Sequence, residues 1–111
     1  MTSSKINFSP KGLFIGGKWV DSYKGGRFST INPSNCQHLG EVPLAEKEDV
    51  NRAVIAAKQA FQDWGRMPLK ERAGFLIKLA DKLLENRDEL GMMDCVDSGN
   101  ALNGMKGDVD W

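Results

Sequence analysis

The segment at residues 30–42, TINPSNCQHLGEV, places a cysteine and a histidine two positions apart between two runs typical of β-strands. Cys36 and His38 would share one side of an extended chain, because side chains alternate along a strand. A nucleophilic thiol also needs a base or a helix N-terminus that lowers its pKa. Asn and Ser flank this pair, and no neighbouring carboxylate orients the imidazole. We therefore predict that Cys36 lies in a solvent-facing turn and His38 on the exposed face of an edge strand, with a catalytic pair as the minor alternative.

The other candidates for chemistry are weaker. Cys95 lies in a methionine-rich helical segment and is interpreted as a small buried hydrophobe. One histidine and two distant cysteines do not make a zinc site. The Gly-Gly pairs match neither GxGxxG nor GxxxxGK[ST], so they are interpreted as turn glycines. We predict that the chain contains no catalytic residues and no cofactor-binding residues of its own.

Composition excludes several classes of partner. The 111 residues carry 15 basic and 15 acidic side chains, and neither sign is concentrated as nucleic-acid binding requires. Two distant cysteines fit a reducing cytosol. No apolar run resembles a signal peptide or spans a bilayer. The sequence predicts a cytoplasmic protein with no nucleic-acid and no membrane partner.

Turn residues divide the first 43 positions. Residues 1–12 are predicted to be a flexible N-terminus. Gly16-Gly17 suits a type I′ hairpin, whose two central residues both need positive φ. A second turn at SYKGG and a third at NPSN bound two further strands, and Pro43 ends the last one. This part is predicted to be β-rich, with two hairpins.

After Pro43 the apolar period changes from about two to about 3.6. It predicts a first helix of about 17 residues that closes at Trp64-Gly65. A second helix follows with Pro68 at its first position. A third, weakened by Gly91, is predicted to be capped by a box of Asn86 and Glu89 and to end at Gly99. The tail repeats apolar residues at roughly helical spacing, with nothing after it to pack against: Leu102, Met105, Val109 and Trp111.

An ordered set of short motifs carries a family resemblance. They are an I-x-G-x-W-V-D opening, INP, G-E-V-P, D-V-x-x-A-V-x-A-A-x-x-A-F, E-R followed by L-x-K-L-A-D, and DSG at 97–99. In this order, over about residues 13–110, they resemble the N-terminal region of the NAD(P)-dependent aldehyde dehydrogenases. One departure is Asn100-Ala101, where the family usually has Lys-Pro. Those positions are not the family's chemical groups, so the departure carries little catalytic meaning.

The resemblance implies an α/β, aldehyde dehydrogenase-like fold, of which this chain is the N-terminal part: β-hairpins followed by about three helices. Residues 13–111 would be a truncated portion of the cofactor-binding domain. The complete enzyme would oxidise a small-molecule aldehyde to an acid with NAD or NADP, and would form a homo-oligomer. Its nucleophilic cysteine, oxyanion-binding asparagine and general-base glutamate lie beyond the region covered. Neither Cys36 nor Cys95 matches the context of the nucleophile, and no cofactor is expected to bind this chain alone.

The resemblance also implies a candidate metal site. Some family members hold a monovalent cation through backbone carbonyls at the start of the INP segment and an acidic side chain near the third helix. Thr30, Ile31 and Asp97 occupy the matching positions. The competing interpretation is that Asp97 is simply a carboxylate at the end of a helix.

Three hypotheses follow. The first is an N-terminal fragment of an aldehyde dehydrogenase, inactive as given. The second is a freestanding, non-catalytic interaction module that uses its apolar helix faces. The third and least favoured is a complete small enzyme that uses Cys36.

Overall fold

The computed structural model describes residues 12–111, and the predicted flexible segment at 1–12 lies outside this range except for Gly12. No helix in this range is long and apolar enough to cross a membrane. Two hairpins are followed by four helices: β1 (Leu13–Ile15), β2 (Lys18–Val20), β3 (Arg27–Ile31), β4 (His38–Pro43), α1 (Lys47–Trp64), α2 (Leu69–Glu85), α3 (Arg87–Ser98) and α4 (Leu102–Asp110).

The two predicted hairpins are confirmed, and each forms its own antiparallel two-stranded sheet. β1 pairs with β2 across Gly16 and Gly17, whose φ angles of 60° and 76° fit the predicted type I′ turn. β3 pairs with β4, and the register shifts between Thr30 and Ile31. Such an irregularity leaves one residue without a cross-strand partner, here Leu39 of β4. The irregularity therefore falls where the INP segment begins.

Asp49 connects the turn after β2 to the beginning of α1. Its side chain is 1% exposed and accepts hydrogen bonds from the backbone N–H groups of Tyr23, at 3.0 and 3.1 Å, and of Glu46, at 2.9 Å. The Arg52 guanidinium also donates to it. The Glu46 N–H above all, together with Arg52 and the Tyr23 N–H, holds the pKa of Asp49 below its usual value in spite of burial. Asp49, an acid in the first turn of α1, is thus a buried anchor between the turn and the helix.

Two details of the helix boundaries differ from prediction. Pro68 immediately precedes α2 and is not its first helical residue. The capping box of Asn86 and Glu89 is wrong: Asn86 makes no side-chain cap for α3, and its Nδ2 donates to the Lys82 carbonyl at 2.8 Å. Asn86 is the single residue between α2 and α3. Its side chain donates to a free carbonyl at the end of α2 and does not accept from an N–H group at the start of α3. Gly99, with φ at 78°, ends α3 as predicted.

The apolar spacing of the tail corresponds to a fourth helix, one more than the three expected. α4 packs on α3 beside Gly91, where an added Cβ would lie 2.8 Å from Cγ of Lys106. Arg87 makes a two-point ion pair with Asp110, and Lys106 pairs with Asp88 at 2.7 Å. Gly91, predicted to weaken α3, is the position that lets the two helices approach closely.

Residues 12–111 form no apolar core among themselves. No apolar side chain among residues 12–111 is buried. The radius of gyration is 17.0 Å, whereas a compact domain of this length has about 13 Å. The accessible surface is 8853 Å², and a compact protein of 12.3 kDa exposes roughly 6,100 Å². The secondary structure is therefore well formed, but its apolar faces are largely uncovered.

Candidate functional site

The turn after β3 packs against the C-terminal end of α3. A Cβ added at Gly99 would lie 2.9 Å from Cγ of Pro33, so the proline ring and the helix end are in close contact. Thr30 and Ile31 lie three and two positions before Pro33, and Asp97 lies two positions before Gly99. The structure thus brings the two segments that carry the predicted cation ligands to one junction.

Side-chain amides shape the turn itself. Asn32 Oδ1 accepts from the Ser34 N–H at 2.9 Å, and Asn35 Oδ1 accepts from the Gln37 N–H at 3.0 Å. The chain then reverses at Cys36, whose φ of 59° lies in the left-handed region. Asx turns of this kind fix a loop without help from a strand ladder.

The predicted exposure of Cys36 and His38 is confirmed. Cys36 is exposed in the turn, and His38 is exposed as the first residue of β4. Within the part of the chain that the structure describes, no hydrogen bond joins the two side chains. Cys95, predicted to be buried, is only partly so, and both cysteines are free thiols.

The junction offers oxygen ligands. The Thr30 hydroxyl is buried and has no hydrogen-bond partner, and Thr30 is the last β3 residue before the register with β4 shifts. Asp97 is exposed in the last turn of α3, where the helix dipole is negative and favours a cation. Residues 12–111 contain no group of three or more His, Cys, Asp or Glu side chains that could hold a metal ion. Carbonyl, hydroxyl and carboxylate oxygens suit a hard cation, so the donor set fits the predicted kind of ion.

Replacement of Gly99 by Ala should separate the turn from α3. The left-handed conformation costs an L-residue about 1–2 kcal/mol, and the new methyl group would collide with Pro33. We expect amide hydrogen exchange in the last turn of α3 to accelerate at least about fivefold. Gly104→Ala is the matched control, because nothing lies within 4 Å of a Cβ at that position in α4. Equal exchange rates in the two variants would contradict the close contact at Pro33.

The fold and the junction together define a class of protein. Two hairpins followed by four helices form the N-terminal part of an α/β fold. Residues 19–111 match the model of the aldehyde dehydrogenase family. The chain belongs to this family and corresponds to its N-terminal region.

Individual relatives agree with this assignment. The maize (Zea mays) aminoaldehyde dehydrogenase 2 is 38% identical over 105 residues, which cover 90% of this chain and 21% of the maize protein. The structure of HpcC from Thermus thermophilus matches with a TM-score of 0.90 and 33% identity, over 96% of this chain and 21% of HpcC. An NAD-dependent aldehyde dehydrogenase from Sinorhizobium meliloti matches with a TM-score of 0.88 and 28% identity, over 96% and 22%. The chain spans about a fifth of the length of these relatives.

Proposed function

We propose that this chain forms the N-terminal part of an NAD(P)-dependent aldehyde dehydrogenase. One observation carries the proposal: nearly the whole chain superposes on about a fifth of an NAD-dependent enzyme of this family. Residues 13–111 would then be the outer part of the cofactor-binding domain, in a cytoplasmic homo-oligomer. The exposed apolar faces of the helices support this, because they are surfaces that a larger fold would cover.

The proposed reaction is oxidation of an aldehyde to a carboxylic acid. A cysteine thiolate from outside these residues attacks the aldehyde carbon and forms a thiohemiacetal, whose oxyanion an asparagine and a backbone N–H stabilise. NAD(P)⁺, when bound, accepts the hydride. A glutamate acts as general base when water releases the acid. Residues 13–111 would form part of the fold around this site. Neither Cys36 nor Cys95 would take part in the reaction.

The proposal includes a monovalent cation at the junction of β3 and α3. The backbone carbonyls of Thr30 and Ile31 and the carboxylate of Asp97 would be its ligands, with the remaining ligand from another part of the fold. The unpartnered Thr30 hydroxyl and the negative end of α3 support an ion at this place.

The cation is tested by its effect on thermal stability. We expect the complete natural gene product to melt at a higher temperature in potassium or sodium chloride than in choline chloride. Asp97→Asn should remove the difference, while Asp94→Asn, one turn earlier in α3, should retain it. The same melting temperature in all three salts would contradict the site.

The proposed function is tested on the natural gene product. Its intact mass, measured from the source cells, should be several times the 12.3 kDa of these residues. The purified product should form NAD(P)H with at least one member of an aldehyde panel, and Cys36→Ser should leave that rate unchanged. A mass of 12.3 kDa without activity would instead support the freestanding interaction module. Loss of activity in Cys36→Ser would support the small enzyme.

A further inference from the structure

The first turn of α4 contains the single Asn-Gly pair of the sequence, Asn103-Gly104. The side-chain amide of an asparagine can react with the backbone nitrogen of the next residue, which makes asparagine a chemically labile residue. Glycine obstructs this reaction least because it has no Cβ and moves freely. Every other asparagine in the 111 residues precedes a residue with a side chain.

The surroundings leave this pair accessible. Asn103 and Gly104 are both exposed, and a Cβ added at Gly104 would have no atom within 4 Å. The Asn103 side chain makes no hydrogen bond within the described residues. The side chains of Asn32, Asn35 and Asn86, in contrast, each bond to a nearby backbone group. Asn103 therefore has a free side-chain amide as well as the least hindered neighbour.

The backbone nitrogen of Gly104 is not held by the helix. The first N–H groups of an α-helix have no partner within that helix. In α4 the Met105 N–H donates to the Ala101 carbonyl at 3.1 Å, but the Gly104 N–H has no partner among residues 12–111. Ala101 is the N-cap residue, and its methyl group cannot accept the hydrogen bond that a Ser or Asp would accept there.

The first turn of α4 is also the part of this helix that opens most easily. The helix has nine residues and contains two glycines, Gly104 and Gly107, each of which weakens it relative to alanine. Its ion pairs with α3 are made by Lys106 and Asp110, which lie beyond the first turn. Ring closure on Asn103 requires its backbone to leave the helical conformation, and local opening of an uncapped turn supplies that conformation.

We propose that Asn103 is a site of spontaneous deamidation. The Gly104 nitrogen loses its proton and attacks the side-chain carbonyl carbon of Asn103. The bond from that carbon to the amide nitrogen breaks, the leaving nitrogen takes up a proton and departs as ammonia, and a cyclic succinimide remains. Water then opens the ring: attack on the side-chain carbonyl gives aspartate, and attack on the backbone carbonyl gives isoaspartate. Water is the only co-reactant, and the proposal does not depend on the proposed function.

The two products affect α4 differently. Both add a negative charge in the first turn, where the helix dipole favours it. Isoaspartate also routes the main chain through the former side chain, which lengthens the backbone between Ala101 and Met105. The hydrogen bond between these two residues spans the altered bond, so it should be lost in the isoaspartate form. Deamidation would thus loosen the start of α4 as the protein ages.

The test uses the natural gene product that carries these residues, incubated at neutral pH and digested with trypsin. The peptide 88–106 contains Asn103 and also exposed Asn100, which precedes Ala101 and is the internal control. We expect residue 103 to gain the mass of an NH₂-to-OH exchange and to become a substrate for an isoaspartyl methyltransferase, while Asn100 stays unchanged. Gly104→Ala, which meets no neighbouring atom, should slow the conversion by on the order of tenfold.

A second variant tests the role of the uncapped turn. In Ala101→Ser the new hydroxyl should accept from the N–H group of Asn103 or Gly104, which stabilises the first turn and slows the conversion about fivefold. A synthetic peptide of residues 98–106 gives the rate without a fold. Conversion of this peptide beside an unchanged residue 103 in the protein would overturn the proposal. Conversion of Gly104→Ala at the original rate, or of Asn100 as fast as Asn103, would also overturn it.

Discussion

Replacement of Asp49 by Asn will release the turn after β2 from the beginning of α1. The carboxylate is the only fully buried side chain among residues 12–111, and it accepts from two backbone N–H groups and one guanidinium. An amide at this position would place an N–H₂ group against those donors and leave hydrogen bonds to a charged group unmade. We expect the Tyr23 amide to lose at least about tenfold of its protection from hydrogen exchange.

Glu48→Gln is the control for this change. Glu48 is also an acid in the first turn of α1, but it is exposed. Any general effect on the helix dipole would appear in both variants, whereas loss of the buried anchor would appear only in Asp49→Asn. Unchanged Tyr23 exchange in both would show that Asp49 does not hold the turn.

The pH dependence of this anchor follows from the direction of its pKa shift. Hydrogen bonds, first of all from the Glu46 N–H, lower the pKa of Asp49 from the usual 3.8. A lowered pKa stabilises the folded state fully above the unfolded value and loses that contribution as pH falls through the folded value. The Tyr23 protection should therefore be constant near neutral pH and decline only below about 3.8. In Asp49→Asn this acid-dependent decline should be absent.

The 111-residue chain in isolation will unfold gradually. A compact domain of this length absorbs about 75 kcal/mol in one cooperative transition, because its buried core melts as a unit. Here no apolar side chain among the described residues is buried, and large side chains such as Phe61 and Leu76 are more than half exposed. Calorimetry should show a much smaller and broader heat absorption. A dye that binds apolar surface should fluoresce before heating begins.

The control for this measurement is a chimera in which this chain replaces the matching N-terminal fifth of the Sinorhizobium meliloti enzyme. It should melt cooperatively and bind less dye for each molecule, because the apolar faces are then covered. A single sharp transition of the isolated chain, with a heat near that of a compact domain, would contradict the fragment interpretation. It would favour the freestanding module, which must be stable alone.

Much of the local structure was determined by sequence, because its causes lie within a few residues. Gly16-Gly17 specifies a type I′ turn through backbone freedom alone, and the structure has both residues at positive φ. The 3.6-residue period defines α1, and Gly99 ends α3 in the left-handed conformation. The exposed turn at Cys36 was also predictable, since the side chains of Asn32 and Asn35 accept hydrogen bonds from nearby backbone N–H groups. The ordered motifs were enough to indicate the family, which the comparisons confirm.

Contacts between distant segments were decided only by the tertiary structure. Asn86 and Glu89 have the spacing of a capping box. Because Asn86 alone connects α2 to α3, its side chain instead donates to the Lys82 carbonyl. Gly91 is a residue type that weakens a helix, but in the structure Lys106 of α4 packs closely against it. The burial of Asp49 requires the Tyr23 backbone, which lies 26 positions away. A local pattern records what each element can form, whereas the partner of each polar group depends on which elements meet in space.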